Sequence, residues 1–334
     1  MMDYEIFKEV VAEKFPSYLP GEYKGREIVV TPMDRVNQTK DGIILKLDGI
    51  SEKVSPTIYI DDMYQQYLQN ENLQQTLENA AHAMYQAIEQ GISAVQKLDL
   101  DNPKEKIVFQ LINTEQNRQM LEGMPHREWK DLSIIYRMVA DVDEKGISSV
   151  MIHDGLADKF GLTEEQLFKL AVENTKRIFP PTVRSMNDIM REIFAKDGMP
   201  QEVIEMMIAE VSADNMMYVI SNDRGINGAI SMLYEDQLHA LAERLGSDLY
   251  ILPSSIHETI AVSVEMGDPE TLAQMVSEIN MEQVALDERL SNQVYHYDKD
   301  LRVLTIATDT PNKRLDGMVA AEPALIYDTK DMGR

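Results

Sequence analysis

With 334 residues, 44% of them hydrophobic, the chain is long enough to bury one large core or two. A balance of 32 basic to 57 acidic residues leaves a formal charge of −25, so neither nucleic acid nor a membrane surface is expected as a partner, and a protein with a basic face is favoured. The absence of cysteine excludes disulfides, thiolate metal ligands and cysteine nucleophiles, and it fits a cytoplasmic location. The opening MMDYEIFKEVVAEKF has no basic segment followed by an apolar one, so no signal peptide is expected. No run of about 18 apolar residues predicts a transmembrane helix.

In chain order, Ile6, Phe7, Val10 and Val11 predict a helix over 4–15, which Pro16 and Pro20-Gly21 end. Glu27–Thr31 and Gly42–Leu47 read as strands around a turn at Asn37–Asp41, and Ser55–Ile60 as a third strand. Helical sequence follows over 61–68 and 73–88, with Ala80, Ala81, Met84, Ala87 and Ile88 as its apolar stripe. Asp99–Lys104 is polar, carries Pro103, and is the expected linker between a subdomain of 1–98 and a domain of 105–308. Within that domain Lys106–Ile112 is an expected strand and Thr114–Leu121 a helix. Leu132–Val139 and Ile147–Ile152 are expected strands around Asp143–Gly146. Thr163 and Gln166 form a capping box before a helix that Pro180-Pro181 stop.

Helices are further expected over 185–194, 201–211 and 235–245, the last ended by Gly246, and again from the Asp268-Pro269 start. Met216–Ser221, Leu249–Leu252 and Thr259–Val264 read as strands, and Val294–Tyr297 with Leu301–Ile306 as a hairpin. The residues from 309 on form an expected flexible tail. Helices interleaved with hairpins give an α+β fold: antiparallel or mixed sheets with helices packed on them, in two subdomains.

The densest chemistry lies between two of these strands, in Pro253-Ser254-Ser255-Ile256-His257-Glu258. A serine nucleophile needs a base within reach and an acid to orient that base, so Ser254, Ser255, His257 and Glu258 are the catalytic candidates for a hydrolase. The Gly-x-Ser-x-Gly elbow is missing, and a serine-capped turn explains the same residues. His257 and His153, or His296 with Asp298 and Asp300, are metal candidates at strand ends, although no His-Glu-x-x-His spacing links them. Gly225-Ile226-Asn227-Gly228 lacks the rest of a phosphate loop, which leaves Asn227 as a binding candidate within a turn. His126, Arg127 and Arg184 are candidates for anion or partner binding. Arg127, Arg137, Arg177, Arg184 and Arg191 all stand among many acids, where an internal ion pair is the ordinary outcome. No cofactor is expected. Asp61-Asp62 reads as a solvated acidic pair at a helix start.

Several stretches together resemble a family of uncharacterised proteins, a domain of unknown function from anaerobic Gram-positive gut bacteria. They are Ser55–Ile60 with Tyr64 and Tyr67, Asn117 with Pro125–Glu128, and Leu132–Arg137. The others are Glu173-Asn174-Thr175 with Phe179-Pro180-Pro181, Asn222 with Gly225–Ala229, and Leu245–Glu258. The second half is also similar to another uncharacterised bacterial family. Against that pattern, Ala261–Val264 runs into Glu265-Met266-Gly267 instead of an apolar strand ending in Pro. The resemblance implies a cytoplasmic bacterial protein and carries no activity with it. The expected function is non-catalytic binding of a macromolecule or small ligand, with a hydrolase or metal-dependent enzyme centred on His257 and Glu258 as one alternative. An immunity or mobile-element accessory protein acting on a basic target is the other.

Overall fold

A computed structural model describes residues 1–47, 56–97, 102–143, 146–209, 216–310 and 314–316. The fold is α+β, with three antiparallel sheets. Contacts divide the chain into two compact units, one of Met1–Thr182 with Ser221–Ser231, the other of Val183–Ile220 with the chain from Met232 onward. Of the expected linker, 99–101 lie outside the described residues, and Pro103–Lys106 form a 3-10 turn within the first unit.

The first unit opens with α1 (Tyr4–Tyr18), whose N-cap Asp3 accepts the Ile6 amide hydrogen at 3.0 Å. Strands β1 (Ile28–Arg35), β2 (Gln38–Leu45) and β3 (Thr57–Tyr59) pair in that order, followed by α2 (Ile60–Asn70) and α3 (Leu73–Lys97). Phe7, Val11 and Phe15 of α1 meet Ile43 and Leu45 of β2, Ile60 and Met63 of α2, and Leu77, Met84 and Ile88 of α3 in one core. The turn between β1 and β2 is shorter than the sequence suggests. Arg35 pairs with Gln38, so Val36-Asn37 alone makes the turn, with Asn37 at φ 64°. Asparagine tolerates that left-handed backbone, and Lys40 and Asp41 become strand residues.

A second sheet in this unit centres on β6 (Leu132–Asp143). It has β4 (Ile107–Asn113) on one side, and β5 (His126–Trp129) followed by β7 (Gly146–Met151) on the other. The short helix α4 (Arg118–Leu121) lies between β4 and β5, and α5 (Asp154–Phe160) and α6 (Glu164–Ile178) follow β7. The capping box forms as read, with Thr163 and Gln166 satisfying each other's backbone. Helix α6 also closes the open edge of β4. Thr175 Oγ1 accepts the Phe109 amide hydrogen at 3.1 Å, and Asn174 Nδ2 donates to the Ile107 carbonyl at 2.9 Å. This gives the Glu173-Asn174-Thr175 signature a structural role.

The second unit is built on a six-stranded sheet of order β13-β12-β10-β11-β9-β8. The strands are β8 (Pro181–Ser185), β9 (Tyr218–Asn222), β10 (Leu249–Leu252), β11 (Thr259–Ser263), β12 (Tyr295–Asp298) and β13 (Val303–Ile306). Its helices are α7 (Met186–Lys196), α8 (Gln201–Ala209), α9 (Glu235–Leu245) and α10 (Pro269–Gln283). Leu272 and Ala273 of α10 pack on Val262 and Val294. Strand β11 ends at Ser263 because Ser263 Oγ caps a 3-10 turn, Val264–Met266. That turn accounts for the polar departure at Glu265.

Candidate functional site

The serine-histidine connector is held down along its length. Pro253 and Ser254 carbonyls accept from the Ser291 and Leu290 amides at 2.9 and 3.0 Å, and the Ile256 amide donates to the Glu288 carbonyl at 2.8 Å. Ser255 Oγ accepts the His257 amide hydrogen at 3.0 Å, a serine turn. The His257 ring lies 3.4 Å from Glu288, not against Glu258, which is exposed. Neither Ser254 nor Ser255 has its hydroxyl hydrogen-bonded to that ring. The connector therefore aligns an imidazole with a carboxylate, but supplies no aligned hydroxyl.

The other sequence candidates are dispersed. His153 is exposed at the N-cap of α5 in the first unit, while His257 is in the second. Among the described residues, no three His, Asp or Glu side chains are grouped as metal ligands. His296 pairs with Asp248 at 3.1 Å. Asn227 sits at φ 52° in a turn organised by Asn222, whose Nδ2 donates to the Ile226 carbonyl at 2.8 Å. Arg184 pairs with Glu192 in solvent, where such a pair adds little stability.

His126 and Arg127 sit side by side on β5, with different partners. The His126 ring meets the Met124 carbonyl at 3.0 Å. Arg127 grips Glu164 through Nε and Nη2 at 3.0 and 2.8 Å and reaches Glu165 at 2.7 Å. Its guanidinium also lies 3.9 Å over the Phe168 ring. The Tyr136 hydroxyl donates to the same Glu164 carboxylate. Burial pushes the Glu164 carboxyl up, but hydrogen bonds from Arg127 and Tyr136 outweigh it and hold the group below its ordinary value. The charge of Arg127 is thus answered within the fold by two carboxylates.

A concave feature of the first unit lies elsewhere, where α1, β2 and α2 meet. A cleft of about 380 Å³ is lined by Tyr4, Gln38, Lys40, Asp61, Asp62 and Tyr64, among others. A second cleft of about 420 Å³ shares Asp62 and continues past Tyr59 and Met63. The Tyr4 and Tyr64 rings meet edge to face at 5.3 Å. Three carboxylates border this region, and their surroundings differ. Asp41 accepts from Lys8 at 2.6 Å and from the Tyr4 hydroxyl at 2.9 Å, and the Lys8 hydrogen bond holds it below its ordinary value against the opposing effect of burial. Asp62 pairs with Lys40 at 2.7 Å. Asp61 accepts the Asp41 amide hydrogen at 2.8 Å, and among the described residues no cation forms an ion pair with it. Burial, the Asp41 hydrogen bond and the Asp61 charge together raise the Tyr4 hydroxyl well above its usual value.

Sequence reading missed this cleft because Asp61-Asp62 resembles any acidic helix start. The available signal was the Tyr59–Tyr64 run, read there only as a family mark.

The fold and site define a two-unit α+β protein with an acidic, tyrosine-walled cleft. The sequence profile of a family of unknown function, DUF5688, matches residues 4–299, and the chain belongs to that family. No curated protein and no solved structure matches the chain. No helix among the described residues is long and apolar enough to cross a membrane.

Proposed function

We propose that this is a non-catalytic binding protein of the bacterial cytoplasm that receives a basic side chain of a protein partner in the cleft beside Asp61. The observation that carries this reading is the Asp61 carboxylate, which no cation among the described residues ion-pairs, in a cleft walled by the Tyr4 and Tyr64 rings. A lysine or arginine entering there meets an anion at the end of its stem and aromatic edges and faces along it. The overall charge of −25 draws such a partner in and raises its encounter rate at low salt.

Calorimetric titration of the full chain with a tetralysine peptide tests the reading. Saturable binding is expected, weakened about tenfold by Asp61→Asn, as befits the loss of one charge-assisted contact. Glu202→Gln, an exposed acid on α8, controls for bulk charge and should leave binding unchanged. Equal weakening by both variants, or no saturable binding, would mean that only diffuse attraction operates.

A further inference from the structure

On the second sheet of the first unit, no acid among the described residues pairs with Arg137. Its Nε donates to Ser149 Oγ at 2.8 Å, and its Nη groups donate to Gln110 Oε1 and the Ser149 carbonyl at 3.3 Å each. All three acceptors are neutral. A guanidinium has five N–H donors, so two are left without a protein acceptor among the described residues. The side chain is half-buried, in a chain with 57 acidic residues. Burial, helped by the positive charge of Arg35, pushes the Arg137 guanidinium down to about 10.

Arg35 is held beside it by the fold. It ends β1, one residue before the Val36-Asn37 turn. Val36 packs against the cluster containing Ile112 and Ile135, together with Met151, which pairs across from Arg137. Asn37 is locked to Asn117: its amide donates to Asn117 Oδ1 at 2.6 Å, and Asn117 Nδ2 returns a bond to Asn37 Oδ1 at 2.7 Å. Both asparagines are buried. Arg35 itself is exposed, rests 5.3 Å over the Tyr59 ring and, among the described residues, pairs with no carboxylate. The asparagine lock and the Val36 packing thus bring the end of β1, with Arg35, toward the face of the sheet that carries Arg137, where the two positive charges repel each other. That arrangement is unfavourable for the free protein and favourable for an anion between them.

We propose that Arg137 and Arg35 form a binding site for a small oxyanion, the carboxylate or phosphate group of a ligand. Gln110 and Ser149 hold the Arg137 fork in plane, leaving its remaining N–H donors for the ligand. Arg35, the more exposed of the two, closes over the anion from the hairpin side. This site takes ligands of the opposite charge to those of the acidic cleft.

The test is calorimetric titration of the full chain at constant ionic strength with inorganic phosphate and, in parallel, with succinate. Constant ionic strength matters because phosphate also stabilises proteins by exclusion from their surface. Saturable binding in the millimolar range is expected for one or both anions, and the arm that binds more tightly identifies the group. Arg35→Gln, an exposed substitution that the fold tolerates, should weaken binding about tenfold, and Arg137→Gln should abolish it. Should Arg137→Gln fail to fold, Arg35→Gln alone decides. Absence of saturable binding of both anions, or affinity unchanged in Arg35→Gln, overturns the proposal.

Discussion

Two arginines of one sheet live under opposite conditions. Arg127 on β5 and Tyr136 on β6 reach the same Glu164, so they share a side of the sheet; Arg137, the next residue after Tyr136, projects to the other side. On the first side, α6 delivers Glu164, Glu165 and the Phe168 ring to a single guanidinium. On the second, the guanidinium finds an amide, a hydroxyl and a carbonyl, and a second arginine nearby. The chain has no shortage of acids, so the contrast is one of placement. One face is closed by its own helix, and the other holds a charge in need of a counter-ion.

The sharpest way to break this contrast is to release Arg35. Asn117 is 3% exposed and joins Asn37 to the Asn113 carbonyl, which it reaches at 2.7 Å. Asn117→Ala leaves the buried Asn37 amide without its acceptor, and a loss of about 3 kcal/mol is expected in urea unfolding. Phosphate binding should weaken in the same variant while the Arg127–Glu164 pair stays in place, which the acid limb of the unfolding curve would report. Unchanged phosphate affinity in a folded Asn117→Ala protein would show that the lock does not position Arg35.

Much of the fold was open to sequence reading because it follows local rules. The stripe of Ala80, Ala81, Met84 and Ile88 is buried as its spacing requires. The Thr163 box and the Asp268-Pro269 start are short-range contacts written into adjacent residues. The strand–turn–strand at 249–263 was likewise legible. What escaped depends on distant residues. The Val36-Asn37 turn is tight because Asn117 answers Asn37 across the unit. The 253–258 connector is shaped by its pairing with 288–291, so His257 finds Glu288 and not its neighbour Glu258. Five arginines looked alike in a strongly acidic sequence. Only the three-dimensional placement of the carboxylates separates Arg127, which has two, from Arg137, which has none among the described residues.

A smaller effect sharpens the closed side of the comparison. Glu164 is held below its ordinary value, so its share of stability is present above 4.5 and is lost as pH falls through the lowered value. Glu164→Gln removes that share and leaves Arg127 with Glu165 alone. At neutral pH it should cost about 2 kcal/mol. Below 4.5 the wild type loses this contribution while the variant has none to lose, so their urea midpoints should converge. Other carboxylates with lowered values steepen both acid limbs equally and cancel in the difference. A gap that stays constant on acidification would mean that Glu164 is not held ionised by Arg127 and Tyr136.

The smallest expected effect is the most telling, because its sign is in question. Arg137→Met keeps a long flexible stem on β6 and removes a half-buried charge that no acid among the described residues offsets. The gain is the relieved desolvation and the lost repulsion from Arg35. The cost falls on Gln110 and Ser149, which each lose a donor; Ser149 is half-buried and can turn to water, whereas Gln110 is buried. These terms nearly cancel, so stability should change by less than about 1 kcal/mol in either direction. Arg127→Met, which strands Glu164 beside Glu165 and uncovers Phe168, should lose about 2 kcal/mol. Urea unfolding of the two variants under one buffer measures the difference directly. If Arg137→Met is as destabilising as Arg127→Met, the Arg137 guanidinium is a structural strut and the two faces do not differ. If it is neutral while phosphate or succinate binding disappears, the charge on that face serves a ligand and not the fold.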